Sequence, residues 1–307
     1  MSPNLTRSFA FLAMLLVAAA TRADVDAGIA AYERDDYASA LRELQPLAEQ
    51  GDAAAQYVLG LMHQNGRGVT QDFSEAAAWY RRAANQGHSP AQFNLGIRYA
   101  NGEGVPQDRA VAAQWFRKAA EAGIAAAQTR LADAYVNGLG VPKDYPEAAK
   151  WYRLAAEQGF TGAQFNLAYM YDEGLGVGQD KSAAAKWYRA AAEQGHAVSQ
   201  YTLGLMYDNG EGVSEDSAEA AKWYRAAAEQ GDPDAAYNLA YMYEDGEGVS
   251  PDPVQAVFWM TVSAAAYPPG ADRDDAFGQR NRIAGELTQS EYAEAKRLIE
   301  ERLSPAK

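Results

Sequence analysis

The sequence predicts an all-α fold, an α/α superhelical solenoid of tandem helix pairs with roughly 16 helices. Three observations predict it. All six tryptophans (Trp79, Trp115, Trp151, Trp187, Trp223 and Trp259) stand 36 residues apart. The stretch Trp223-Tyr224-Arg225-Ala226-Ala227-Ala228-Glu229-Gln230-Gly231 recurs in near copies that end at Gly87, Gly123, Gly159 and Gly195. Each copy holds two stretches of apolar residues at helical spacing, separated by Gly-x-Gly-Val. A fixed period of about 20–50 residues marks a stack of units, none of which can bury its apolar face alone.

Residues 1–23 are set apart from this pattern. One positive charge in Met1 to Arg7, an unbroken apolar run from Phe9 to Ala20 and a small residue at Ala23 describe a secretory signal peptide cleaved before Asp24. The run is shorter than the roughly 20 residues of a membrane-spanning helix, so no stable membrane anchor is expected after cleavage. The expected location is outside the cytoplasm, the periplasm first and full secretion second. With no cysteine in the chain, disulfides, catalytic thiols, thiolate metal sites and a lipidated N-terminal cysteine are all excluded.

The chain carries 27 basic against 41 acidic residues, a net charge of −14. Loss of Arg7 and Arg22 with the leader brings this to about −16. Such a balance disfavours nucleic acid, whose phosphates are bound by clustered Lys and Arg, and anionic membrane surfaces.

Residues 24–50 read as a capping helix pair. Ala27, Ile29, Ala30 and Tyr32 mark the first helix; Tyr37, Ala40, Leu41, Leu44, Leu47 and Ala48 mark the second. Asp35-Asp36 supplies the N-cap between them, and Pro46 inside the second stripe predicts a kink or a late start. Six repeats follow at 51–86, 87–122, 123–158, 159–194, 195–230 and 231–266. Positions below carry the numbers of the first copy. Helix A is expected over about Asp52 to Gln64, with positions 55, 56, 59, 60 and 63 on one packing arc. Gly or Ala at position 60 allows close approach of the neighbouring helix. Helix B is expected over about Ser74 to Gln86, with an alanine at 76 in every copy and with the tryptophan, the adjacent aromatic and the Ala-Ala pair on its core side. The first glycine of Gly-x-Gly-Val ends helix A in a left-handed conformation, the valine enters the seam, and the Asp at 72, 108, 144, 180, 216 and 252 caps helix B.

Together these residues match Ala-x-x-x-Leu-Gly-x-x-Tyr-x-x-Gly-x-Gly-Val-x-x-Asp-x-x-x-Ala-x-x-Trp-Tyr-x-x-Ala-Ala-x-x-Gly. The pattern resembles the Sel-one-like repeat, a relative of the tetratricopeptide repeat, over residues 51 to about 266. Departures lie mainly at the edges: His63 stands in place of the usual Tyr, and Ala265-Ala266-Tyr267-Pro268-Pro269 replaces the normal exit of the last helix. The resemblance implies a superhelix that serves as a protein-interaction scaffold. Its exported members include regulators of envelope sensor proteins, assembly factors for surface polysaccharide or motility machinery, and secreted host-contact proteins. Residues 267–307 read as a closing cap of two helices, Asp272 to Ala284 and Ser290 to Leu303, the second opened by a Thr288…Glu291 capping box.

Candidate chemistry is sparse. The Gly-x-Gly loops lack the third glycine and the preceding strand of a dinucleotide site. Loop acids such as Asp208 and Glu211 do not follow the ligand order of a calcium loop. His63, His88 and His196 stand in three repeats without metal-ligand spacing, and no Gly-x-Ser-x-Gly occurs. No cofactor, no metal and no catalytic residue is therefore expected. What remains is the face of helix A opposite its packing arc, the concave groove of tetratricopeptide relatives. Position 57 offers Phe165, Tyr201 and Tyr237; position 61 offers Asp133, Tyr169 and Tyr241; position 64 offers Asp172, Asp208 and Glu244. An aromatic, carboxylate-rimmed groove suits a basic, partly apolar peptide or protein segment. The position-57 aromatics fit packing between A helices equally well, which leaves Tyr169 and Tyr241 as the leading candidates. A β-lactamase-like hydrolase, as described for cysteine-rich relatives, and a self-associating structural protein are the alternatives, and oligomeric state is left open.

Overall fold

The structure is a computed structural model that describes residues 22–303. The expected leader lies outside these residues except for Arg22 and Ala23, which open the first helix. Among the described residues there are 16 helices and no strand, and no helix is long and apolar enough to cross a membrane. The capping pair is α1 (22–33) and α2 (Tyr37–Glu49). The A helices are α3 (Ala53–Asn65), α5 (Ser89–Asn101), α7 (Ala125–Asn137), α9 (Thr161–Glu173), α11 (Ala197–Asn209) and α13 (Pro233–Asp245). The B helices are α4 (Phe73–Asn85), α6 (Arg109–Glu121), α8 (Tyr145–Glu157), α10 (Lys181–Glu193), α12 (Ser217–Glu229) and α14 (Pro253–Ala266). Two more, α15 (Ala271–Ala284) and α16 (Gln289–Leu303), close the chain. The chain forms two compact units, one ending at Trp151 and one beginning at Tyr152, inside α8.

Helix ends are set by local chemistry that repeats. Asp72, Asp108, Asp216 and Asp252 each accept from two backbone N–H groups in the first turn of their B helix, and Asp144 and Asp180 from one. Gly66, Gly102, Gly138, Gly174, Gly210 and Gly246 end the A helices in the left-handed region at φ 66–77°. The N–H of each capping Asp then donates to the position-63 carbonyl, as in Asp72 to His63 at 2.9 Å and Asp144 to Tyr135 at 3.1 Å, which closes the loop. At the C-terminal cap, Thr288 and Glu291 bond reciprocally.

In the first unit each helix packs on the next in sequence from α2 to α7, and in the second from α9 to α15. Leu59, Leu95 and Leu131, and in the second unit Leu167, Leu203 and Leu239, are almost fully buried. Tyr80 and Tyr224 are fully buried too, whereas Trp115, Trp151 and Trp187 are only half-buried. The helix-B aromatic beside the tryptophan therefore reaches deeper than the tryptophan itself. Gly60, Gly96 and Gly204 make room for it, since a Cβ there would stand 2.5–2.6 Å from the ring of Tyr80, Phe116 or Tyr224. Position 62, absent from the expected arc, is also core: Met62, Met170, Met206 and Met242 are buried. In α5 that position is Arg98, whose guanidinium lies over Phe73 and pairs with Glu103 at 2.5 Å.

Polar bonds cross each seam in register. Gln56, Gln92, Gln128, Gln164 and Gln200 are buried, and each donates to the carbonyl eight residues earlier, at 2.9–3.2 Å. These carbonyls (Ala48, Ala84, Ala120, Ala156 and Ala192) belong to the last turn of the preceding helix, which has no intrahelical donors left for them. Arg81, Arg117, Arg153 and Arg225 donate to the phenol oxygen of the tyrosine 18 residues later.

Two expectations at the N-terminus differ from the structure. The first is α1, which buries Val25, Gly28 and Ala31 and leaves Ala27 exposed. Its packing row is the i, i+3 line through Gly28, against which Leu44 presses too closely to admit a Cβ. The second is α2, which starts at Tyr37, directly after its Asp36 cap, and runs through Pro46 to Glu49. Pro46 lies within the last turn, so few hydrogen bonds beyond it depend on its missing N–H.

Candidate partner-binding face

The predicted face is carried by α9, α11 and α13 in the second unit and, for Asp133, by α7 in the first. Its position-57 rings are half-buried. Phe165 lies 5.9 Å from Tyr188 and 4.8 Å from His196, and Tyr201 lies 6.0 Å from Tyr224. Each thus rests one side on the helix-B aromatic of its own repeat. Tyr237 donates to Asp275 of α15 at 2.6 Å and stands edge-on to Tyr241, 5.1 Å between centroids. Burial first, and then Asp275, push its phenol well above the ordinary range.

Position 61 separates the two leading candidates. Tyr169 is 47% exposed, one of the few large apolar residues open to solvent. Tyr241 is half-buried and lies beside α15, against Tyr237 and near Arg282.

The carboxylates of position 64 already have partners within the chain. Asp172 pairs with Lys181 at 2.6 Å, and the same ammonium reaches Glu211 at 3.2 Å. Asp208 accepts from the Tyr224 hydroxyl at 3.1 Å. Glu244 and Arg282 form a two-pronged pair at 2.5 and 2.8 Å, which with Tyr237–Asp275 fixes α15 to α13. Asp133 faces Arg130 at 3.9 Å. These partners stand 9, 16 and 38 residues away in the second unit, beyond any local motif. The equivalent Gln64 likewise accepts from Tyr80, at 2.8 Å.

The histidines prove to be helix-end groups. His88 and His196 cap α5 and α11, with Nδ1 accepting from Ala91 N at 3.3 Å and from Ser199 N at 3.2 Å. Asp52 and Asp232 do the same for α3 and α13, a correspondence that alignment of the copies shows once the cap position is known. His63 is half-buried in the tyrosine position.

Comparison with known proteins follows the same register. The Sel1 repeat model matches residues 53–88, 89–124, 125–160, 161–196, 197–232 and 233–267, so each match begins at the first residue of an A helix. A crystal structure of a protective antigen present in uropathogenic Escherichia coli strains, displaying an SLR fold, is 34% identical with a TM-score of 0.81, and the match covers 92% of this chain and 62% of that one. The chain therefore spans less than two thirds of that antigen's length. A Sel1 repeat protein from Oxalobacter formigenes is 33% identical with a TM-score of 0.66, over 81% of this chain and 98% of that one. No curated protein matches. Six consecutive matches, and a relative of the same family covered almost end to end, show that the chain belongs to the Sel1 repeat family.

Proposed function

We propose that the protein is an exported, non-catalytic scaffold that holds a partner protein or peptide on the groove face of its A helices, and that it regulates or assembles a complex of the cell envelope. Sel1 repeat proteins bind other proteins in general; the face, the envelope role and the location are our reading. The observation that carries it is Tyr169, an exposed ring in a row otherwise half-buried, since large exposed aromatics are favoured anchors of interfaces. An excess of 41 acidic over 27 basic residues draws a basic partner by its field, although the groove carboxylates themselves are paired. The leader-like residues 1–23 support export, and so does the relative that is a protective antigen. The use of His88 and His196 as helix caps supports a non-catalytic reading.

Crosslinking in cells followed by purification of the exported protein should capture a partner, and Tyr169→Ala should reduce that capture at least tenfold. Its melting curve should not move, because exposed substitutions change stability by about 0.5 kcal/mol or less. Undiminished capture by the variant would exclude this face. N-terminal sequencing of the purified protein should begin at Asp24.

A further inference from the structure

A cavity of about 260 Å³ opens in the first unit between α5, α6 and α7. It results from coordinated departures from the repeat pattern. Position 62, a buried methionine in four copies, is Ala134 in α7, and the shorter side chain leaves space. Position 64, which is Gln64, Asp172, Asp208 or Glu244 in four other repeats and Val136 in the fifth, is Ala100 in α5. In those repeats Gln64 and Asp208 receive the hydroxyl of the helix-B tyrosine. Here that tyrosine is replaced by Phe116, which has no hydroxyl to satisfy. Acceptor and donor have been lost together, so this wall is apolar, with Ile97 and Leu139 completing it and Asn101 the one uncharged polar residue of the lining. Leu139 keeps 37% of its surface exposed.

The rim has the opposite character. Arg109 and Arg130 both line the opening, with Asp133 as the one acid. Arg130 meets Asp133 only at 3.9 Å, with 61% of its own side chain exposed, a loose contact that another carboxylate can replace. Two guanidinium groups against one carboxylate make the rim net positive in a protein of charge −14. Size limits the occupant: sites for drug-sized ligands span roughly 300–1000 Å³, and this one falls below that range, suited to a single bulky side chain.

We propose that this cavity is an anchor site for a peptide segment that presents one bulky apolar side chain next to a carboxylate. The side chain packs on Phe116 and Leu139, and the carboxylate takes charge-assisted hydrogen bonds from Arg109 and Arg130. This deepens the scaffold reading and rests on it for the peptide nature of the ligand, yet it lies in the other unit and selects the opposite charge from the Tyr169 face.

The probe is N-acetylphenylalanine, with its C-terminal amide as the uncharged control, titrated into the full exported chain while backbone amide resonances are followed. Saturable shifts are expected at Ala112, Ala134 and Leu139, with the amide binding about tenfold more weakly. Ala134→Met installs the side chain found in four other repeats; it should abolish saturation while melting at the same or a higher temperature. Arg109→Gln with Arg130→Gln should bring the acid down to the level of the amide. Absence of saturable shifts in the wild type, equal binding of acid and amide, or unchanged binding by Ala134→Met would each overturn the proposal. Capture of the cellular partner through Tyr169 is read separately, so a silent cavity and a silent groove are distinguishable outcomes.

Discussion

Gly104 and Gly87 both hold left-handed backbone, at φ +72° and +88°, but for different reasons. Around Gly87 a Cβ would meet open space, whereas at Gly104 it would collide with the Phe73 carbonyl and the Ser74 nitrogen at the start of α4. Gly140, Gly212 and Gly248 meet the backbone of the preceding helix B in the same way. In these four loops the second glycine is thus where backbone rests on backbone across a seam. Gly87→Ala should cost about 1 kcal/mol, the left-handed penalty alone. Gly104→Ala should cost about 2–4 kcal/mol, because the collision adds to that penalty. Urea unfolding of the two variants checks the difference, and equal losses would remove the seam argument. The Asp caps and the first glycine were legible in the sequence because their partners lie within a few residues. The pairings of Asp172, Asp208 and Glu244 were not, since stacking alone brings Lys181, Tyr224 and Arg282 to them.

At the level of the helix, α5 and α11 depend on a neutral imidazole. Burial holds His88 and His196 below their ordinary value of 6.5, with Asp52 partly offsetting this at His88. Below 6.5 the unfolded chain therefore takes up protons before the folded chain does. Their contribution is complete above about pH 6.5 and is lost as the pH falls through the lower folded values. Protonation also removes the Nδ1 acceptor and places a positive charge at a helix N-terminus; a lost cap is worth about 0.5–2 kcal/mol. His88→Asp with His196→Asp, which copies Asp52 and Asp232, should flatten the stability profile between about pH 7 and pH 5.5. Unfolding at both pH values measures it, and an unaltered slope would show that other groups set the dependence. Periodicity placed these helices correctly but could not say which residue capped them, because histidine is not a usual N-cap.

At the largest scale, the C-terminal end is closed by enclosing one helix. At the C-terminus α14 buries Val254, Val257, Trp259, Met260, Val262 and Ala264 on nearly every side, since α13, α15 and α16 all pack against it. A helix apolar all round is stable only when enclosed. A chain that stops after Pro269 should expose this surface, bind a hydrophobic dye and associate. Light scattering and dye fluorescence test that, and a monomeric truncation with unchanged melting would show that α15 and α16 are dispensable. The number of repeats and the closing pair of helices were legible from spacing and charge. The cavity beside Phe116 was not, because it arises from substitutions in two successive repeats that read as ordinary variation when each is taken alone.

The glutamine and arginine bonds across the seams have a consequence for how such a gene can change. Each joins a residue to a partner at a constant offset, eight residues back or 18 ahead. An in-frame loss or duplication of 36 codons at a seam therefore removes or adds complete rungs and leaves the remaining ones matched. The exceptions are the last rung, where Ala236 stands in the glutamine position, and the Glu244–Arg282 clasp that ties the closing helices to α13. Repeat number is free to drift in the interior of the chain, and the ends are where drift is held.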